Sequence, residues 1–139
     1  MEKQTATKAD IVLGLFPANN PQKMDMVKFD DNGKIKNLVI KPKTTDLIFT
    51  WVIAVWNPNF TNFLNSYLND KDHFQSLRKE ENDTSNELYI GNIIIESIKY
   101  GLKIDYIKYE NGLYIDIGTP SQLKKVNDID WIKEINANK

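Results

Sequence analysis

Short apolar runs separated by turn-forming residues dominate the first half of the chain. Runs of this length that are rich in β-branched and aromatic residues are typical of strands. The first run is apolar at every position, as expected for a central parallel strand that is covered on both faces. The second and third runs flank Asn32-Gly33, a dipeptide typical of hairpin turns. We predict four strands here, at residues 11–16, 24–29, 34–41 and 47–56.

Two later segments have apolar residues at steps of three and four, which is the spacing of one helix face. The first segment follows Asn57, a good N-cap residue. The second follows Thr84 and Glu87, whose spacing forms a capping box, and it stops at Gly101, where a helix end favours glycine. The polar stretch 69–83 between them is expected to be a surface loop or a frayed helical extension.

The last third of the chain returns to alternating apolar and polar residues before a final helical pattern. Residues 102–108 and 113–117 alternate with a period of two, so we predict two further strands. Thr119 then serves as an N-cap, and Gln122 completes a capping box, which together predict a third helix. The apolar residues around Trp131 indicate a fourth helix.

Strands that alternate with helices indicate an α/β fold. We predict a three-layer domain with a mostly parallel sheet and an inserted antiparallel β-hairpin. The 139 residues fit a single domain, and 41% hydrophobic with 27% charged residues is ordinary for a globular protein. We therefore assign residues 1–139 to one domain.

Composition excludes several classes of function. A net charge of -1 with scattered lysines offers no basic surface for nucleic acid. The chain has no cysteine, and its single histidine, His73, lies in a polar stretch and is expected to be solvated rather than catalytic. The apolar run 47–56 is far shorter than the roughly 18 residues of a membrane helix. We expect a cytoplasmic protein with no membrane and no nucleic-acid partner.

Two polar residues stand where ligands bind in α/β sheets, at the ends of predicted strands. A carboxylate at Asp116 could hold a divalent metal, and an ammonium at Lys41 could neutralise a phosphate. The local pattern by itself favours ordinary surface roles for both residues. The five-residue spacing of Trp51 and Trp56 places them on opposite faces of a strand, which fits packing better than a base-stacking platform.

The most specific motif of the chain is Tyr-Ile-Asp-Ile-Gly-Thr-Pro-Ser-Gln-Leu at 114–123. With this motif, the order of the segments resembles the sugar-phosphate nucleotidylyltransferases, including the thymidylyl-, uridylyl- and guanylyltransferase branches. The resemblance spans nearly the whole chain but only the carboxyl-terminal part of the family's catalytic domain. It implies a partial nucleotide-diphospho-sugar transferase fold, which is Rossmann-like. The supporting segments are 9–13, 29–35, Lys41-Pro42 and Asn57-Pro58.

The resemblance also implies roles for individual residues. Asp116 would be one of two aspartates that hold the catalytic Mg²⁺, and Lys41 would contact the sugar 1-phosphate. Tyr114, Gly118 and Trp51 would line the substrate site. In the family's reaction, a sugar 1-phosphate attacks the α-phosphate of a nucleoside triphosphate and pyrophosphate leaves. Metal and lysine then act mainly by aligning and neutralising anions.

The chain departs from the family pattern at several points. The glycine-rich triphosphate loop with its arginine, and the first metal aspartate, precede the matched region and are absent. Ile40 replaces a glutamate, and Asp25 and Trp51 replace glycines near the sugar. We expect a longer parent enzyme that binds the triphosphate and the sugar 1-phosphate, and an inactive isolated chain. Because an incomplete sheet exposes an apolar edge, we also expect self-association. The alternative is a non-catalytic sugar-phosphate-binding or assembly module with a degenerate site.

Overall fold

The computed structural model describes residues 2–70, 89–115 and 117–127. These residues form a sheet of five strands with four α-helices. A 3-10 turn, Pro21–Lys23, precedes the second strand. The elements in chain order are α1 (Glu2–Thr7), β1 (Ile11–Pro17), β2 (Met26–Phe29), β3 (Ile35–Val39), β4 (Phe49–Trp56), α2 (Pro58–Asn69), α3 (Ile90–Lys99), β5 (Ile104–Lys108) and α4 (Pro120–Asn127).

The strands lie in the order β3-β2-β4-β1-β5. Strand β1 is parallel to β5 and antiparallel to β4, while β2 is antiparallel to both β3 and β4. The α/β class and the inserted hairpin are confirmed. The described strands form a mixed sheet, with one parallel pairing among four, rather than a mostly parallel one. An uninterrupted apolar run indicates burial on both faces but does not fix the direction of the neighbouring strand.

A bulge in β4 changes which side chains share a face. In the register between β1 and β4, Trp51 lies opposite Leu15 and Trp56 lies opposite Ile11, while Val52 has no partner on β1. Leu15 and Ile11 both belong to the core, so the two tryptophans lie on the same face. The prediction of opposite faces is wrong, because the extra residue at Val52 reverses the alternation of side chains.

The hydrophobic core lies between one face of the sheet and the helices α2 and α3. Helix α2 is capped by Asn57, whose side-chain oxygen accepts hydrogen bonds from the amides of Asn59 (2.9 Å) and Phe60 (3.4 Å). This cap confirms the predicted start of the first helix. The fully buried members of the core include Ile11, Leu13, Leu15, Val27, Leu38, Phe60 and Ile94.

Helix α3 ends in a Schellman motif. The amide of Gly101 donates to the carbonyl of Ile98, and the amide of Leu102 donates to the carbonyl of Ser97, each at 3.0 Å. Gly101 has a φ of +84°, a left-handed conformation that glycine adopts without the steric cost of a Cβ. The glycine predicted to end the second helix is therefore confirmed.

The remaining predictions have mixed outcomes. Thr119 caps α4 as predicted, since its hydroxyl accepts from the amide of Gln122 at 3.3 Å. Residues 113–115 and 117 have no strand structure, so the strand predicted at 113–117 is wrong for these positions. Alternating apolar residues form a strand only where a neighbouring strand pairs with them, and here Leu113 (46%) and Ile117 (51%) are exposed. The capping box at residues 84 and 87, the stretch 71–83 and the helix predicted around residue 131 lie outside the described residues.

Candidate functional site

A cavity of about 530 Å³ opens between the hairpin, the start of β4 and the start of α3. Tyr114, which lines it, packs edge-on against Phe16 at a centroid distance of 5.6 Å. Phe16 lies in β1 next to the carboxyl end of that strand. The cavity therefore lies where ligands bind in α/β sheets. Three predicted site residues line it together: Lys41, Trp51 and Tyr114.

Lys41 reaches the cavity from a strained backbone position just after β3. Its φ is +38°, a left-handed value that is uncommon for a residue with a side chain, and it precedes Pro42. Its amide donates to the carbonyl of Met24 at 3.2 Å, which fixes the loop against the hairpin. Its ammonium lies 3.9 Å from the ring centroid of Tyr89. Strain of this kind is found preferentially at functional sites.

Asp25 supplies the carboxylate of the described cavity wall. Burial raises its pKa, and the positive charge of Lys41 counteracts part of that shift. Within the described residues, no donor forms a hydrogen bond with this carboxylate. The carboxylate also presses against helix α3, because a Cβ built on Gly91 would lie 2.5 Å from Asp25 Oδ2 and 2.7 Å from Ile40 Cδ1.

Two neighbouring residues of β4 form the floor of the cavity. The hydroxyl of Thr50 is buried and donates to the backbone carbonyl of Asp25 at 2.9 Å, which positions the carboxylate. Trp51 packs partly against the core. Among the described side chains, its indole N–H is a buried donor without a hydrogen-bond partner. An unsatisfied donor of this kind costs about 1–3 kcal/mol, which an acceptor on a ligand could offset.

The motif at 114–123 reaches the cavity through its first residues. The hydroxyl of Tyr114 lies within hydrogen-bond distance of two acceptors, Asn19 Oδ1 (3.3 Å) and Met24 Sδ (2.8 Å), so its ring is held between β1 and the hairpin. Asp116 lies outside the described residues, but its neighbours 115 and 117 both line the cavity. Gly118 is exposed and lies outside the described cavity lining.

The structure adds residues that the sequence did not single out as ligand-binding. Lys23 and Tyr89 line the cavity, and Asp25, noted from the sequence as a departure from the family pattern, faces Lys41 there. Tyr89 comes from a distant segment, at the N-cap position of α3, so no local pattern could indicate it. The turn Pro21–Lys23 gave no motif either.

The described wall of the cavity is suited to anions rather than to a metal by itself. Its lining includes two lysines, Lys23 and Lys41, and a single carboxylic acid, Asp25. No group of three potential metal ligands occurs in the described parts of the chain. The described helices also include none that is long and apolar enough to cross a membrane.

Comparison with known proteins gives structural matches. No family model matches the chain, and no curated protein matches it. A protein of Bacillus anthracis described as a glucose-1-phosphate thymidylyltransferase, solved with sucrose, aligns over 97% of this chain with a TM-score of 0.63 and 20% identity. A nucleoside-diphosphate-sugar pyrophosphorylase of Vibrio cholerae RC9 aligns over 90% with a TM-score of 0.64 and 20% identity.

Both solved proteins are about twice as long as the matched region. The alignments cover 50% of the first chain and 49% of the second. The resemblance to sugar nucleotidyltransferases, limited to part of their domain, is thus confirmed at the level of the fold. At 20% identity this similarity shows a shared Rossmann-like fold, whereas the activity depends on the residues of the site.

Proposed function

We propose that this chain is the carboxyl-terminal part of a nucleotidylyltransferase that joins a sugar 1-phosphate to a nucleoside triphosphate, giving a nucleotide sugar and pyrophosphate. One observation carries the proposal. The cavity gathers Lys41, Trp51 and Tyr114, which the resemblance had assigned to the substrate site, from three separate segments of the chain. The fold shared with two sugar nucleotidyltransferases supports the same reaction class.

The described residues fit the binding and orientation of a sugar phosphate. The ammonium groups of Lys41 and Lys23 neutralise the phosphate, and the side chains of Trp51 and Tyr114 form apolar walls for the sugar ring. The reaction needs no nucleophile from the protein, because the sugar phosphate itself attacks the triphosphate. Alignment and charge neutralisation then account for the rate, as in other phosphoryl-group transfers.

Magnesium and the triphosphate require residues beyond those described. We propose that Asp116 contributes one ligand to a Mg²⁺ ion, which would supply positive charge for the crowded phosphates. The triphosphate loop would come from the half of the domain that the solved neighbours contain and this chain does not match. The chain by itself is therefore expected to bind a sugar phosphate without catalysing the reaction.

The pairing of β4 supports the proposed self-association. Strand β2 pairs with β4 at one position, Met26 with Thr50, and β1 occupies the opposite edge along the whole strand. From Trp51 to Trp56, alternate residues therefore direct backbone N–H and C=O groups towards an edge that no described strand covers. The strand has no charged residue, and Ile53 is 47% exposed. Such an edge pairs with a second copy of the chain when no other segment covers it.

Calorimetric titration of α-D-glucose 1-phosphate into this chain tests the proposal. We expect saturable binding, and Lys41→Asn should weaken it about 10- to 100-fold, the range for a lost hydrogen bond to a charged group. Asparagine tolerates a left-handed φ, so this variant removes the charge without adding backbone strain. Lys43→Asn, an exposed position in the same loop, is the matched control and should keep the affinity. Equal affinity in both variants would remove Lys41 from the phosphate site.

A longer polypeptide that carries the whole domain tests the reaction. It should release pyrophosphate from a sugar 1-phosphate and a nucleoside triphosphate when Mg²⁺ is present. Asp116→Asn should abolish this release while sugar-phosphate binding persists. Full activity of Asp116→Asn would contradict the assigned metal role. Sugar-phosphate binding without pyrophosphate release in the unaltered polypeptide would favour the non-catalytic module instead.

A further inference from the structure

The cavity contains one carboxylate, on Asp25, that accepts no hydrogen bond from the described residues. Asp25 faces the cavity beside Lys41. We infer that the ligand of this cavity is an amino sugar 1-phosphate, with its ammonium group paired to Asp25 and its phosphate to the lysines. This inference rests on the proposed function and specifies the class of sugar.

The charges of the described wall match such a ligand. Two ammonium groups, on Lys23 and Lys41, and one carboxylate, on Asp25, leave a net charge of one positive unit. A phosphate dianion that also carries an ammonium group has a net charge of one negative unit. The phosphate of a sugar without an amino group has a net charge of two negative units and brings no positive charge near Asp25. Complementary charges of this kind determine specificity in binding.

The position of Lys41 explains why a hydroxyl is the poorer partner for Asp25. Burial raises the pKa of the Asp25 carboxyl group, and the charge of Lys41 counteracts part of this rise. When a phosphate binds Lys41, the ammonium group pairs with the phosphate. It then stabilises the partly buried negative charge of Asp25 less than before. A buried charge is costly unless it is paired. An ammonium on the ligand restores the pair, whereas a hydroxyl donates a hydrogen bond without charge.

The aromatic wall provides a second contact for a cation. The ring of Tyr89 already holds the ammonium of Lys41 at 3.9 Å from its centroid, so this face is accessible to a positive charge. Trp51 lines the same cavity. Once Lys41 binds the phosphate, the ring of Tyr89 can contact the ligand's ammonium group instead. Cation–π contacts favour ammonium over a neutral hydroxyl at such a position.

Calorimetry with matched ligands tests the inference on the unaltered chain. The ligands are α-D-glucosamine 1-phosphate, α-D-glucose 1-phosphate and N-acetyl-α-D-glucosamine 1-phosphate, at a pH where the amino group is protonated. The 4-amino and 6-amino analogues of glucose 1-phosphate cover the other positions of the nitrogen. We expect at least one amino ligand to bind about 10- to 100-fold more tightly than glucose 1-phosphate. The N-acetyl ligand should lose this advantage, because acetylation removes the charge.

The variant Asp25→Asn identifies the partner of the ammonium group. It should abolish the preference, so that the amino ligand and glucose 1-phosphate bind this variant with similar affinity. If glucose 1-phosphate binds at least as tightly as every amino analogue, the inference is overturned and the proposed function stands. A preference that survives Asp25→Asn also overturns it. If none of these phosphates binds, the proposed sugar-phosphate site fails as well, which separates the two failures.

Discussion

The ammonium of Lys41 lies 3.9 Å from the ring centroid of Tyr89. Lys41 follows β3 and Tyr89 precedes α3, so this contact joins the hairpin to the helix across the cavity. Lys41 has a left-handed φ of +38° and lines the cavity from the loop after β3. A phosphate that enters the cavity competes with the ring for the same ammonium group. Phosphate binding to Lys41 would therefore weaken the contact between the hairpin and α3.

Close packing of α3 against Asp25 predicts a stability effect at Gly91. In Gly91→Ala, the new Cβ would lie 2.5 Å from Asp25 Oδ2 and 2.7 Å from Ile40 Cδ1. Both atoms are side-chain ends that must shift to admit the methyl group, and overpacking costs about 1–3 kcal/mol, whereas the helix preference for alanine over glycine returns about 1 kcal/mol at most. Urea unfolding should therefore show a lower free energy of unfolding.

The double variant Gly91→Ala with Asp25→Ala provides the control. Removing the carboxylate takes away the nearer of the two contacts, so the cost of Gly91→Ala should be smaller in the Asp25→Ala background. Coupling between the two positions is expected, since they touch. An equal cost in both backgrounds would show that Asp25 does not press on the helix.

Asp10 predicts how stability depends on pH. Burial by itself raises its pKa, but donors from the Lys103 amide (2.9 Å) and the side chains of Asn59 (2.9 Å) and Asn57 (3.0 Å) outweigh it, and the net pKa is lowered. A carboxyl group whose pKa is lower in the folded state stabilises the fold above its unfolded pKa. This contribution is lost as the pH falls through the folded value.

Urea unfolding as a function of pH measures this contribution. The free energy of unfolding should fall on acidification below about pH 4, the usual range of aspartate. Asp10→Asn should flatten this fall, and Asn59→Ala, which removes one donor, should reduce it by a smaller amount. A fall of the same size in Asp10→Asn would assign the acid sensitivity to other groups.

The open edge of β4 predicts self-association that a single charge disrupts. Light scattering should detect species larger than a monomer for the unaltered chain. Ile53→Lys places a charge on a 47% exposed position of this edge strand and should shift the chain towards the monomer. Ile48→Lys, which is 65% exposed and precedes β4, is the matched control. A monodisperse monomer of the unaltered chain would rule out this association.

Local turn chemistry made the hairpin and the helix ends predictable. The carboxylate of Asp30 accepts from the amides of Asn32 (2.9 Å) and Lys34 (2.8 Å), and Gly33 adopts a φ of +74°. These interactions span a few residues, so the sequence pattern contains all of their determinants. The same is true of the Schellman motif at Gly101, where the determinants lie within one helical turn.

The bulge and the cavity wall depend on tertiary contacts that local patterns do not contain. A β-branched run such as 49–56 reads as a regular strand, and nothing in it marks Val52 as the extra residue. The family resemblance predicted Lys41 and Tyr114 as site residues. Tyr89 lines the same cavity but is distant from both in the sequence, so no local pattern indicated it. The role of Asp25 emerges only once β2, the Lys41 loop and α3 are brought together.

The most direct test of the account is the location of sugar-phosphate binding. Amide and indole NMR signals of the ¹⁵N-labelled chain are followed as α-D-glucose 1-phosphate is added, with sulfate as the control for unspecific anion binding. We expect saturable shifts at Asp25, Lys41 and the Trp51 indole, because these residues line the cavity. Shifts elsewhere in the described chain, or shifts that sulfate reproduces in full, would contradict a sugar-phosphate site in this cavity.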